Sequence, residues 1–342
     1  MRKAVVVLLT SLVLALTLFV LAGAALAQEQ EKVIKLKYSN FFPAAHKISQ
    51  LHEQWCREVE KRSQGRVKIT YFPANTLTPP TQTYDSVMKG IADIGMSLLA
   101  YSPGRFPLSE VLTLPLGYTS GYQSTKTANA FYKQFQPKEF DNVKVLFLHA
   151  HGPGLFHTKK QIHSIAEIKG MRTKVNADVA GIAEALGAVP VTMPITECYD
   201  GMQKGLLDAL QLPMEGLKGW RFAEVSKTTI ENHGMSYAAT IFAVMNKDKW
   251  NSLPPDVQAA IEEINLEWIE KQGKLWNQLD QEAREFALQK GMNIVTATPQ
   301  EEAEVAEKMK PLFAKYVKSA QEKGLPGQEA LAFCQDYLTK NK

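Results

Sequence analysis

Residues Lys169–Pro213 read KGMRTKVNADVAGIAEALGAVPVTMPITECYDGMQKGLLDALQLP, and this stretch decides the fold. The pattern predicts a strand carrying Arg172 and Lys174, a helix, a short strand at Val189–Met193, a second helix and a third strand at Leu206–Leu212. Repeated units of this kind form a parallel sheet, and such folds bind ligands in a crevice at the carboxyl ends of the strands. The stretch therefore predicts an α/β fold with a ligand crevice.

Alternating strand and helix patterns continue on both sides of this stretch. Val33–Ser39 and Arg66–Phe72 alternate as strands, and Lys47–Arg62 between them has the apolar spacing of an amphipathic helix. The run His149–Gly154 contains glycine and proline, so we interpret it as a hinge between two lobes. The apolar strand Tyr237–Met245 then returns the chain to the first lobe.

The C-terminal third of the chain is predicted to be mainly helical. Apolar residues at helical spacing predict one helix from Pro255 to Gly291, which spans ~50 Å at ~1.5 Å per residue and can lie across both lobes. Thr298–Glu301 forms a capping box that starts another helix, and a last helix begins near Gly327.

The N-terminus has the features of an export signal. Arg2 and Lys3 precede an uncharged run, Ala4–Ala27, that ends in small residues, which is typical of a secretory signal peptide. We expect cleavage after Ala27 and a mature protein in the periplasm; the alternative is an uncleaved membrane anchor, because the run is long enough to span a bilayer.

After the signal peptide (1–27), the first lobe is expected at 28–151 plus about 240–282. The second is expected at 152–239 plus about 283–342, with the C-terminal helices.

The charge composition bears on the possible partners. The 342 residues include 39 Lys and Arg against 35 Asp and Glu, and this near-balance argues against nucleic acid, which requires a concentrated basic face.

The three cysteines, Cys56, Cys198 and Cys334, lie far apart within helical patterns. We expect buried free thiols, with a single disulfide among them as the alternative.

Motifs throughout the mature chain resemble those of one family, the extracytoplasmic solute receptors of tripartite ATP-independent periplasmic (TRAP) transporters. The similar segments follow the family's order and are Tyr71–Leu77, Gly90–Gly95, Val111–Leu116, Gly170–Val175, Ala185–Met193, Glu197–Gly205, Asp208–Ala209 and Asn246–Leu253. The resemblance implies a two-lobed, class II-like periplasmic binding protein with parallel and mixed sheets, hinge strands and a lobe-spanning helix. It also implies a small organic anion as ligand, the small and large permease subunits as partners, and no enzymatic activity. We further expect a monomer without a cofactor.

Lys174 occupies the position of the arginine that pairs with the ligand carboxylate in this family. Lysine supplies the charge without the planar donor fork of arginine, so it can fix an anion with looser orientation. Arg172 shares its face of the strand and is a second candidate. A further basic position in some relatives falls near Gly154, where this chain has none, which disfavours a small dicarboxylate as ligand.

Other candidate ligand residues follow strand ends, the hinge and helix starts, where cleft residues are expected. They are Glu197, Tyr199, Gln211, Ser39, Asn40, Phe41, Ser97, Phe156 and Trp220. Each has a simpler alternative: a carboxylate in a first helical turn stabilises the helix dipole, and an isolated aromatic most often packs in a core.

Two other functions stay open at this point. A secreted enzyme would use Glu197, Tyr199 or the pair His149 and His151, and a sensory module would bind the same ligands without import. Sequence motifs for a nucleophile elbow, a zinc protease and a phosphate-binding loop are absent. Metal binding by His149 and His151 is disfavoured, because no third ligand lies nearby in the sequence.

Overall fold

The computed structural model describes residues 33–341, and its strands form two sheets. In chain order the strands are β1 (Ile34–Asn40), β2 (Val67–Phe72), β3 (Ile94–Leu98), β4 (Val143–Ala150), β5 (Gly154–Thr158), β6 (Arg172–Val175), β7 (Val189–Thr192), β8 (Ala209–Pro213), β9 (Thr228–Glu231), β10 (Thr240–Asn246) and β11 (Asn293–Thr296).

The first sheet has the strand order β2-β1-β3-β10-β4. Strand β1 runs parallel to β2 and β3, whereas β10 runs antiparallel to β3 and β4. Because β1 and β3 are parallel neighbours, their carboxyl ends, at Asn40 and Leu98, lie at the same edge of the sheet.

The second sheet has the order β11-β9-β5-β8-β6-β7 and is also mixed. Strand β6 runs parallel to β7 and β8, and β11 runs parallel to β9, whereas β5 is antiparallel to β8 and β9. The strand that carries Lys174 is therefore flanked on both sides by parallel neighbours, as the strand–helix pattern predicts.

Helices cover and connect the two sheets. They are α1 (Lys47–Arg62), α2 (Thr83–Met88), α3 (Gly121–Phe135), α4 (Ala180–Ala185), α5 (Cys198–Gln203), α6 (Gly216–Gly219), α7 (Lys247–Asn251), α8 (Pro255–Gln289), α9 (Pro299–Glu322) and α10 (Gly327–Lys340). Helix α1 buries the face that its sequence predicts, including Ile48, Leu51, Trp55 and Val59.

The fold is two-lobed, with one sheet in each lobe, and three segments join the lobes. The chain crosses from β4 to β5 through 151–153 and returns from β9 to β10 through 232–239. The 35-residue helix α8 contacts α1 and α3 on one side and α6 and β11 on the other. Helix α9 packs against α4, and α10 packs against α3, so the C-terminal helices also touch both lobes.

Most predicted elements are confirmed, and their ends shift by a few residues. The capping box at Thr298 forms as predicted, and Cys56, Cys198 and Cys334 are buried free thiols. The short strands β5, β9 and β11 were not predicted. The proposed signal peptide lies outside the described residues, and no helix within 33–341 is both long and apolar enough to cross a bilayer.

Candidate ligand-binding site

A cavity lies between the two sheets, at the carboxyl ends of β1, β3, β6 and β8. Its volume is ≈ 40 Å³, which is about three to four times the ~10–15 Å³ that one water molecule requires, so a ligand larger than a few waters needs the lobes to move apart. Its lining combines aromatic, aliphatic and a few polar residues: Phe41, Phe42, Tyr101, Trp220, Tyr237, Trp276; Leu98, Ile195, Leu212, Pro213, Ile241; His151, Lys174, Asn176 and Glu215.

Among the described residues that line the cavity, Lys174 is the only lysine or arginine. Lys174 is 2% exposed, and its Nζ donates one hydrogen bond, of 2.9 Å, to Asn176 Oδ1. Burial lowers the pKa of the Lys174 ammonium, and the nearby Cys198 and Asp178 partly oppose that shift. An ammonium has three donors, and the described residues accept only one of them here. The site therefore holds a buried cation that an anionic ligand would complete.

Two neutral donors, on Tyr101 and Asn176, lie in the same lining as Lys174. Tyr101 Oη, from the first lobe, accepts a 3.0 Å hydrogen bond from Ile195 N of the second lobe. Its own hydroxyl proton has no acceptor among residues 33–341, and the Nδ2 group of Asn176 likewise donates to no described residue. An ammonium, a hydroxyl and an amide can together satisfy a carboxylate, which accepts up to about four hydrogen bonds.

Aromatic rings from both lobes form the walls. Phe41 and Phe42 follow β1, and Trp220 follows α6 in the second lobe. The Phe41 and Trp220 rings stack with an interplanar angle of 16° and a centroid separation of 6.5 Å, while the Phe42 and Trp276 centroids are 6.3 Å apart. These rings make the cavity wall largely apolar, which suits an apolar group of a ligand.

A second polar cluster lies at the cavity where the lobes meet. His46 Nε2, before α1, donates to Glu215 Oε1, which follows β8, at 2.6 Å, and both side chains are buried. The Glu215 backbone N–H donates to Asp280 Oδ1 of α8 at 2.8 Å. Desolvation raises the pKa of the Asp280 carboxyl to about 8, and the nearby Glu215 charge adds to this rise.

We expect the Asp280→Asn variant to gain stability relative to wild type as the pH rises. The folded-state pKa of Asp280, about 8, lies above its ordinary value of 3.8. The unfolded chain therefore loses this proton near pH 4, whereas the native protein keeps it up to about pH 8. The wild-type free energy of unfolding therefore falls through this window, and asparagine removes that dependence. The measurement is the Tm difference between variant and wild type from about pH 5 to pH 8.

The control for this experiment is Asp248→Asn, at an exposed position in the first turn of α7. Asp248 is exposed and lies outside the cavity lining, so the Tm difference between Asp248→Asn and wild type should stay constant with pH. An equally constant difference for Asp280→Asn would contradict the raised pKa.

The sequence relationships of the chain agree with this geometry. Residues 38–319 match the family described as bacterial extracellular solute-binding protein, family 7, also designated DctP. The chain belongs to this family. Its members are extracytoplasmic solute receptors, a class of binding proteins and not of enzymes.

Solved structures of TRAP solute-binding proteins share the fold of this family 7 receptor. One from Desulfovibrio salexigens is 33% identical, with 90% of this chain and 96% of that chain aligned and a TM-score of 0.80. One from Rhodoferax ferrireducens, with copurified benzoate, is 30% identical, with coverages of 90% and 98% and a TM-score of 0.85. A marine metagenome protein specific for aromatic acid ligands, in complex with metahydroxyphenylacetate, is 28% identical, with coverages of 90% and 99% and a TM-score of 0.85.

Three of the candidate residues named from the sequence meet at the cavity of this receptor: Lys174, Phe41 and Trp220. Lys174 and Phe41 lie at or just beyond the carboxyl ends of β6 and β1, where the α/β pattern places ligand contacts. Trp220 follows α6 and reaches Phe41 and Phe42 across the cleft.

Arg172, Glu197 and Tyr199 lie away from the cavity. Arg172 is at the amino end of β6, where its guanidinium forms two 2.9 Å hydrogen bonds to the Asp208 carboxylate. Glu197 is exposed before α5, and Tyr199 Oη donates to Glu224 Oε2 at 2.7 Å. None of the three lines the cavity, so their ligand roles stay predictions.

Ser39, Asn40 and Ser97 are buried near the cleft but are already paired within the first lobe. Ser39 Oγ lies 2.7 Å from Thr78 Oγ1, and Ser97 Oγ donates to Pro80 O at 2.6 Å. Asn40 Oδ1 accepts the Phe42 N–H at 2.9 Å, and its amide also bonds the Tyr71 hydroxyl. Asn40 therefore holds the segment that carries Phe42, and the two serines hold the loop at 78–80.

Gln211 and Phe156 face each other in the second sheet, as register partners of β8 and β5. Phe156 belongs to the apolar core. Gln211 is fully buried, and neither polar atom of its amide has a partner among the described residues. Neither residue lines the cavity, so a ligand role for Gln211 stays a prediction.

The two histidines considered for a metal are structural. Trp276 Nε1 donates to His149 Nδ1 at 3.0 Å, while His151 Nδ1 donates to Gly152 O at 2.6 Å and its Nε2 accepts the Ala239 N–H at 3.0 Å. Burial lowers the pKa of His151 to about 4, which keeps this imidazole neutral. No group of three or more potential metal ligands occurs within 33–341. The residues of the enzyme alternative are thus either exposed or committed to structural hydrogen bonds.

Sequence reasoning missed several cavity residues, including Asn176, Glu215 and Trp276. Asn176 directly follows β6, so its position two residues after Lys174 was an available signal. Glu215 and Trp276 gave no such signal, because a carboxylate after Pro213 and a tryptophan in an amphipathic helix are common surface and core residues.

Proposed function

We propose that this receptor captures a small aromatic monocarboxylate between its lobes and delivers it to the TRAP permease. The observation that carries the proposal is the buried Lys174, with unpaired donors, inside an aromatic-walled cavity between the lobes. An isolated ammonium is costly to bury, and a bound carboxylate would offset that cost.

The cavity favours one carboxylate and an apolar body. Lys174 is the one lysine or arginine in the described lining, and the Glu215 carboxylate in the same lining would repel a second anionic group. Leu212, Ile241 and the six aromatic rings of the lining supply apolar contacts that a C4-dicarboxylate would not use. The Rhodoferax ferrireducens and metagenome relatives bind benzoate and metahydroxyphenylacetate, which have this same combination of one carboxylate and one ring.

Closure of the lobes would complete the site. Tyr101 contacts Ile195 across the cleft, and the Phe41–Trp220 stack also joins the lobes. In the dry, closed cleft a single ion pair and a few hydrogen bonds fix the ligand, and the closed form docks on the permease. The protein would act in the periplasm as a monomer, after cleavage following Ala27, and no chemistry is done on the ligand.

Mass spectrometry of small molecules that copurify with the protein, followed by a thermal-shift screen of aromatic and aliphatic acids, tests the ligand class. Saturating ligand raises the unfolding free energy by mass action, by about 2.7 kcal/mol at a hundredfold excess over Kd. We expect benzoate-type acids to raise Tm and succinate-type dicarboxylates to leave it unchanged.

Ligand-induced closure is the second expected result. Small-angle scattering should show a smaller radius of gyration when an acid that raises Tm is added, because hinge closure brings the lobes together. A radius that is unchanged with every acid that raises Tm would refute capture by closure, and an absence of any Tm shift with organic acids would refute the ligand class.

A further inference from the structure

We propose that Glu215 is a specificity-determining residue that accepts a hydrogen bond from a hydroxyl group on the ring of the bound acid. The ligand class would then be hydroxy-substituted aromatic monocarboxylates, with the carboxylate at Lys174 and the hydroxyl at Glu215. This inference rests on the proposed function, because it assumes that the cavity between the lobes binds an aromatic acid.

The Glu215 carboxylate keeps one oxygen available. Its Oε1 accepts the 2.6 Å hydrogen bond from His46 Nε2. Its Oε2 accepts no hydrogen bond from any described residue, although Glu215 is only 2% exposed and lines the cavity. A ring hydroxyl of a ligand in the cavity can therefore supply the donor that this oxygen lacks within the protein.

His46 orients this carboxylate and leaves Oε2 as an acceptor. His46 Nδ1 accepts the Ile48 N–H at 3.2 Å, so the ring proton lies on Nε2, where it is donated to Glu215. The Glu215 backbone is fixed in turn by its N–H bond to Asp280 Oδ1. Both ends of Glu215 are therefore held, and its free oxygen has a defined position.

The absence of a side chain at Gly219 leaves room for the Glu215–His46 pair. A Cβ atom at residue 219 would lie 1.8 Å from Glu215 Oε1 and 2.6 Å from His46 Nε2. Any larger residue would displace the pair, since both distances are shorter than real Cβ contacts. The second sheet and α6 thus leave space for this carboxylate and imidazole at the wall of the cavity.

Such an acceptor discriminates between ring substituents. A carboxylate only accepts hydrogen bonds, so it favours a hydroxyl over a methoxy group, which has no proton to donate. An unsubstituted ring leaves Oε2 unpaired in the closed cleft and binds less tightly than the matching hydroxy acid. The pairing also fixes which ring position carries the hydroxyl, because both groups must be met at once.

Isothermal titration of the full mature protein with benzoate, the three hydroxybenzoates and the three matched methoxybenzoates tests the inference. For wild type we expect one hydroxybenzoate to bind at least about tenfold tighter than both benzoate and its methoxy counterpart. In Glu215→Gln, His46 should hold the amide oxygen and turn the NH₂ group toward the cavity. The ratio of hydroxy to methoxy affinity should then fall to within about threefold of unity.

Two further variants separate specificity from damage to the fold. Glu224→Gln makes the same change at an exposed carboxylate outside the cavity and should keep the wild-type ratio. Gly219→Ala should lower the ratio by moving the Glu215–His46 pair. If neither Glu215→Gln nor Gly219→Ala folds, the ratio of hydroxybenzoate to methoxybenzoate affinity in wild type decides alone: a ratio near unity overturns the role of Glu215.

The outcomes distinguish this inference from the proposed function. Benzoates that bind without preference between hydroxy and methoxy forms would overturn the role of Glu215 and leave capture of aromatic acids standing. A preference that persists in Glu215→Gln would also overturn it. If no aromatic acid binds wild type, the proposed function fails, and the inference fails with it.

Discussion

The Lys174→Met variant should lose measurable binding of aromatic acids. Lys174 is the one lysine or arginine in the described lining of the cavity, and its Nζ is bonded only to Asn176 Oδ1. Removing one partner of a buried charge pair typically costs about 2–5 kcal/mol, which weakens Kd by roughly thirtyfold to several thousandfold. Titration calorimetry with the tightest wild-type ligand measures this loss.

The same substitution should raise the Tm of the ligand-free protein. Without ligand, wild type keeps a buried ammonium with one hydrogen bond, and burial already lowers its pKa. Replacing a poorly compensated buried charge by an apolar side chain of similar length is often neutral or stabilising by about 1–4 kcal/mol. Weaker binding together with higher apo stability marks a functional cation, because structural damage would lower both.

Two controls accompany Lys174→Met. Lys35→Met makes the same change at an exposed position of β1, and we expect wild-type affinity and Tm. Lys174→Arg keeps the cation and should retain carboxylate binding, which shows whether charge or shape decides the site. A Lys174→Met protein with full affinity would place the ligand carboxylate elsewhere.

The positions of Lys174 and Arg172 show how far strand patterns predict the site. Alternation places both side chains on the same face of β6, so both were named as candidates. The structure separates them along the strand: Lys174 lies near the carboxyl end, at the cavity, and Arg172 lies at the amino end, paired with Asp208. In parallel sheets only the carboxyl ends face the crevice, so the position along the strand decides the role.

The cluster of His46, Glu215 and Asp280 was not predictable from local patterns. His46 and Glu215 are 169 residues apart in sequence, and Glu215 and Asp280 are 65 apart. Each residue alone has an ordinary local explanation: a helix cap, a residue after a strand and a polar position on an amphipathic helix. Their convergence depends on how the two lobes close around α8, which hydrophobic periodicity does not encode.

The short strands β5, β9 and β11 were missed for a related reason. Each has only four or five residues, and β11 lies between two long helices, so neither strand alternation nor flanking turns distinguish it clearly. The long, strongly periodic elements, such as α1 and α8, were predicted nearly to the residue. Strands β6 and β7 are equally short, but strand and helix patterns alternate around them, which made them predictable.

The Trp276→Ala variant should be strongly destabilised. Trp276 is 2% exposed and lies on α8 between the lobes, where its Nε1 donates to His149 Nδ1 at 3.0 Å and its ring stacks on His149. Replacing a buried tryptophan by alanine costs about 3–5 kcal/mol, here with the added cost of an unpaired imidazole acceptor. We expect a decrease in Tm of roughly 10 °C by circular dichroism.

Two variants apportion that loss. Trp276→Phe keeps an aromatic ring and removes the indole N–H, so its cost should be about 1–3 kcal/mol, the penalty for leaving His149 Nδ1 unpaired. Trp250, on α7, is half-buried, and its ring packs under the Lys144 ammonium of β4. The Trp250→Ala variant should cost about 1 kcal/mol or less. If Trp276→Ala unfolds no more readily than Trp250→Ala, then α8 does not join the lobes through this residue. Binding would also be lost in Trp276→Ala, because the same ring that stabilises the hinge forms a wall of the cavity.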